Sequence, residues 1–209
     1  MHFWDMFRRR PPLRTLGDLA EFIDAQAAFL AQKGIYEYSR ARAGHYSKVL
    51  FAEIGFQHAV EQSRWRAFPL ALAIVAEITE GILRAKADDD RRAVLDALTS
   101  LVLSIFDRYP FPAQLAKAEW LEARRELAHR LDLVGIHAVK LAKDVPELFA
   151  ESYFGLMPIH ERLRGHDYQT IRNYLRVTAC NIHEELEKRA DVAALVAALR
   201  GRGANHVAR

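Results

Sequence analysis

The chain has 209 residues, of which 51% are hydrophobic and 27% charged, and its formal net charge is +3. That balance is ordinary for a folded soluble protein, and a chain of this length buries a sizeable core without disulfides or metals. The single cysteine, Cys180, excludes an intramolecular disulfide and fits a reducing compartment, and so small a basic excess is not the one-sided charge of a dedicated nucleic-acid binder.

Residues 1–14 read as a separate segment. Phe3, Trp4, Met6 and Phe7 precede Arg8, Arg9, Arg10, Pro11 and Pro12. The segment lacks the long apolar core of a signal peptide, and the two prolines end any helix begun upstream. Aromatics followed by arginines suit a partner's groove or a weak membrane-surface contact. The alternative is that the aromatics fold back on the domain while the arginines stay in water.

A helical domain is expected over residues 15–200. Its first helix begins at Thr15, where Thr-Leu-Gly-Asp resembles a capping box with Asp18 as the reciprocal acid. Gly34 is the natural residue to end it. The stretch from Ile35 to Trp65 then reads as the long central helix, with Gly44 as a possible kink or break. Stepped at about 100° per residue, Leu50, Ile54 and Trp65 fall on one side, and Val49, Phe56 and Val60 on another. Between them run Arg42, Tyr46, Glu53, Gln57 and Arg64. A helix apolar on two sides is buried between neighbours, so Glu53 is expected in apolar surroundings, its charge costly if it is unpaired and favoured if Arg42 or Arg64 approaches. This stripe is the candidate ligand-binding site, or else a buried network that holds the helix in register.

A helix over Ala67–Ala85 follows, with Pro69 in its first turn. Its polar face carries Glu77, Glu80 and Arg84, which read as a solvated salt-bridge row. The run from Phe68 to Val75 is too short to cross a bilayer. Asp88, Asp89 and Asp90 precede an amphipathic helix over Arg91–Tyr109, and Tyr-Pro-Phe-Pro at 109–112 marks a turn. Further helices are expected over 113–131, 136–143, 146–154, 167–188 and 192–200, with a turn and short helix over 155–165. Residues 201–209 have no apolar periodicity and are expected to fray. Phe149, Tyr153, Phe154 and Met157 form a second aromatic cluster, assigned as a partner-contact patch.

Motifs for chemistry are sparse. The ferritin-type Glu-x-x-His motif is missing, since His58-Ala-Val-Glu61 runs the other way. His-Glu-x-x-His zinc spacing, a Gly-x-Ser-x-Gly elbow and a glycine-rich phosphate loop are also missing. Cys180 and His183 sit three apart with no orienting third group. No metal or cofactor is therefore assigned, and the long central pattern does not resolve into a helix-turn-helix. The expectation is an all-α, single-domain bundle of about eight to ten helices around a long central helix. It is read as a cytoplasmic, bacterial, non-enzymatic binding or assembly protein that meets a protein partner or its own copies. A small-molecule or lipid-binding protein using the polar stripe is the alternative, and nucleic acid is an unlikely partner.

Overall fold

A computed structural model describes residues 11–87 and 90–207, with side chains described up to Arg202. Nine α-helices occur among them: α1 Leu16–Ala43, α2 Ser47–Leu50, α3 Ile54–Arg84, α4 Arg91–Phe106, α5 Lys117–Val134, α6 Ala150–Gly155, α7 Glu161–Arg164, α8 Tyr168–Arg189 and α9 Val192–Val207. A 3-10 turn over Gly44–Tyr46 joins α1 to α2, and another over Ala142–Leu148 precedes α6. Extended pairing among the described residues is confined to one parallel bridge, Leu13 with Ala190. The protein is an all-α, single-domain bundle.

The axis of the bundle is α3, which packs against α1, α4, α5, α8 and α9. From Ala71 to Ala76 every side chain is buried. A helix apolar on all sides must be covered on all sides, and the surrounding helices do this. One hydrophobic cluster runs from Leu13 to Leu199 without a break between subdomains. Buried hydroxyls stay satisfied by bonding back one turn: Thr79 donates to the Val75 carbonyl at 2.8 Å and Ser39 to that of Ile35 at 2.7 Å. The central helix thus lies later in the chain than Ile35–Trp65, and Pro69 sits in its middle rather than its first turn.

Thr15 caps α1 as its spacing predicts. Its hydroxyl accepts from the Asp18 N–H at 3.1 Å, and the Asp18 carboxylate accepts from the Thr15 N–H at 2.9 Å and the Arg14 N–H at 3.1 Å. The backbone N–H groups of Arg14 and Thr15 hold the Asp18 carboxyl below its usual range. The fold begins earlier than Thr15, because Leu13 is buried and bridges to the α8–α9 junction. It also ends later, since α9 continues to Val207 through Gly201 and Gly203; glycine weakens a helix by about 1 kcal/mol but does not forbid it. Residues 135–141 are irregular rather than helical, and the turn between α4 and α5 spans 107–116.

Gly34 does not end α1. It lies inside the helix at a crossing point, where a Cβ would come within 2.6 Å of Tyr174 Cε1 and closer still to the Tyr153 hydroxyl. Tyr153 uses that hydroxyl to donate to the Leu30 carbonyl at 2.7 Å. Gly34→Ala gains about 1 kcal/mol of helix propensity but must displace two packed tyrosines. The expected outcome is a lower melting temperature than wild type, by an amount typical of core overpacking, about 1–3 kcal/mol. An unchanged or raised melting temperature would show that the crossing can open.

Candidate functional site

Between Ala43 and Ile54 the chain does not continue as one helix. Gly44 caps α1 with φ of 52°, a left-handed conformation that favours glycine, and the short 3-10 turn and α2 follow before α3 starts at Ile54. The turn resets the helical phase, so the expected polar stripe is dispersed over separate elements. Arg42 pairs with Asp167 at 3.1 Å. Tyr46 is 77% exposed. Glu53 is exposed at the head of α3 and makes no side-chain cap bond. Gln57 donates to the Phe51 carbonyl at 2.7 Å, and Arg64 pairs with Glu61 at 2.7 Å. These five residues do not form one site, and Glu53 is not a buried carboxylate.

The buried carboxylate is Glu80. Both of its oxygens accept from the Arg84 guanidinium, at 2.7 and 2.6 Å. The same guanidinium donates to the carbonyls of His137 at 2.6 Å and Val134 at 3.1 Å, and Arg91 donates to that of Gly135. Lys140 reaches back to Glu77 at 2.7 Å. The expected solvated row is instead a largely buried clamp that fastens the irregular 135–141 segment to α3. Residues some 50 to 63 positions further along the chain supply the cover, which spacing along α3 alone does not reveal.

The second aromatic cluster is also interior. Phe149, Tyr153 and Met157 are buried and Phe154 is half-buried against Tyr168. This cluster closes the core under α8 and is not a contact patch. Phe3, Trp4, Phe7, Arg8, Arg9 and Arg10 lie outside the described residues.

Exposed apolar side chains occur at the tip of the α1–α3 hairpin and also over residues 133–148, at Leu133, Ile136, Val139, Leu141 and Leu148. No side chain from Arg40 to Ala59 is buried. Yet Val49 is 61% and Ile54 84% exposed beside Tyr46. In the same region Tyr36 meets Phe51 at a tilt and Phe51 meets Phe56 edge to face, with centroids 4.8 and 5.1 Å apart. Three cations, Arg40, Arg42 and Lys48, face one carboxylate, Glu53, over that span. Two grooves lie elsewhere. One of about 430 Å³ runs between α3 and α5 past Trp65 and Trp120, and one of about 820 Å³ between α1 and α8 past Phe29 and Tyr174. Glu80 lines neither. Among the described residues no three His, Cys, Asp or Glu side chains are grouped to hold a metal ion, and no helix is long and apolar enough to cross a membrane. The chain matches no family model, no curated protein and no solved structure.

Asp167 joins α1 to α8 by accepting from the Tyr38 hydroxyl at 2.9 Å as well as pairing with Arg42. Burial first, then that hydrogen bond, pushes the Tyr38 phenol up to about 12. A group whose proton is held more tightly in the folded state stabilises fully below its unfolded value near 10 and stops doing so as pH rises toward about 12. Tyr38→Phe is therefore expected to be less stable than wild type at neutral pH, with the gap closing across that alkaline window in chemical denaturation. A gap that is constant with pH would remove Asp167 from the account.

The clamp yields a second comparison. Glu80→Ala leaves Arg84 buried without its partner, which costs about 3–5 kcal/mol, whereas Glu53→Ala changes an exposed side chain and stays within about 0.5 kcal/mol. Thermal unfolding of the two variants side by side checks the order. Equal shifts would mean that water reaches Glu80.

Proposed function

We propose that the protein is a non-enzymatic binding or assembly protein and that the hairpin tip from Arg40 to Ala59 is its protein-contact surface. The single observation behind this is the unburied apolar set Tyr46, Val49 and Ile54, near the ring contacts of Tyr36, Phe51 and Phe56 in sequence. An isolated exposed leucine needs no explanation, but several apolar groups gathered at one projecting end mark an interaction site. Tyrosine and arginine are the side chains that anchor protein interfaces, and both occur here. With Arg42 paired to Asp167, Arg40 and Lys48 still outnumber Glu53, which suits a partner that is apolar with acidic flanks. A lipid surface is less favoured, because Glu53 stands directly beside Ile54, the most exposed apolar residue of the tip. The lone Cys180 and the Ala- and Arg-rich composition support a bacterial, cytoplasmic setting.

A photo-crosslinking residue at Ile54, introduced in the native cell, tests the reading. The expected result is a covalent adduct of discrete mass that contains a second polypeptide, either another copy or a different protein. Tyr46→Asp with Val49→Asp should abolish the adduct while circular dichroism and melting stay unchanged. A folded protein that gives no polypeptide adduct, or that floats with anionic vesicles through the same tip, overturns it.

A further inference from the structure

The groove between α1 and α8 has an apolar floor of Phe29, Tyr174, Val177 and Ile182. Phe29 is 47% and Val177 59% exposed within it. The two helices run antiparallel. Gln26 donates to Glu185 at 3.1 Å near one end, and Tyr38 donates to Asp167 at the other.

The chain enters the described fold at the Glu185 end. Arg189 donates through Nε to the Pro11 carbonyl at 3.1 Å and through Nη1 to Glu185 at 2.6 Å. One guanidinium thus ties Pro11 to a residue that lines the groove. The direction of approach follows from the bridge. The Leu13 N–H donates to the Arg189 carbonyl at 2.9 Å, and the Asp191 N–H to the Leu13 carbonyl at 3.0 Å. This pairing is parallel, so residues 11 to 13 run the same way as 189 to 191. Traced backward from Leu13 to Pro11, the chain heads along α8 toward Glu185 and the open groove.

We propose that the aromatic segment Phe3–Phe7 of this same chain is the occupant of the α1–α8 groove. Length supports it. From Glu185 back to Thr170 the groove follows α8 for about 22 Å at the helical rise. Phe3, Trp4, Met6 and Phe7 lie four to eight residues before Pro11, which is about 13–28 Å of extended chain. The four apolar side chains therefore span the groove and overshoot it little. Charge supports it as well. Arg8, Arg9 and Arg10 separate the aromatics from Pro11 in sequence. At the Pro11 end exposed Glu21 stands one turn before Ala25 on α1, and exposed Glu187 stands on α8 beside Lys188 and Arg189, which pair with Glu184 and Glu185. An apolar floor with an acidic entrance complements an arm whose aromatics precede its arginines. Seated this way, the arm covers Phe29 and Val177 and leaves the hairpin tip free.

Cys180 is the chain's only cysteine, is exposed, and lies one turn from Val177. A nitroxide attached there broadens nearby fluorine signals of the full chain labelled with fluorotryptophan, and the resonance missing from Trp4→Phe identifies Trp4. The expected result is loss of Trp4 intensity that returns when the nitroxide is reduced and is unaltered on dilution. Val177→Asp should restore the Trp4 signal with no change in circular dichroism. A Trp4 signal equally strong with oxidised and reduced label would overturn the proposal. So would broadening that fades on dilution, because the groove would then hold another copy's arm.

Discussion

Burial of α3 on every side is the constraint on which the rest of the structure depends. The run Ala71–Ala76 offers no polar stripe to solvent, so the helix is stable only when neighbours enclose it. Those neighbours come from the whole length of the chain: α1 before it, α4 and α5 directly after, α8 and α9 at the end. Burying α3 therefore brings the two ends of the fold together, and the Leu13–Ala190 bridge is a local consequence. Small residues let the helices close in. Gly34 admits two tyrosines to α1, and Gly135 admits Leu95 to the segment after α5.

Enclosure also explains why charge lies inside. The C-terminal half of α3 meets a segment, 135–141, that has no helical hydrogen bonds of its own. Its carbonyls need donors, and buried carbonyls are rarely left without them. Arg84 and Arg91 supply those donors, and Glu80 neutralises Arg84. The ion pair is covered by an irregular strap whose own side chains are mostly exposed. Arg84 donates to both Glu80 oxygens and to two backbone carbonyls.

The outer surface divides accordingly. The tip from Arg40 to Ala59 projects past the part of the bundle that α3 organises, and it keeps apolar groups that the core does not absorb. The α1–α8 groove lies along the bundle, where two antiparallel helices meet without a third layer above them. The tip carries more cations than carboxylates. The groove has exposed Glu21 and Glu187 near one end.

Much of the architecture was legible in the residues alone. Helical spacing with no alternating segments determined the all-α class. The Thr15 and Asp18 pair determined where α1 starts, and Tyr-Pro-Phe-Pro determined the turn after α4, because caps and prolines act through bonds only a few residues long. The location of the site was not legible, and the reason is the same locality. Projecting Ile35–Trp65 on one helix assumed an unbroken phase, which Gly44 and the turn after it remove; Glu53 then moved from an imagined interior to the surface. Glu80, spaced like any solvated partner of Arg84, became the buried carboxylate only because residues 134–140 fold over it. Phe149 and Tyr153 looked like a patch until α1 and α8 closed on them. Local sequence determines which segments are helices and where they are capped, since those interactions lie within one or two turns. Which side of a helix is inside depends on what lies across from it, and that is decided by contacts between residues far apart in the chain.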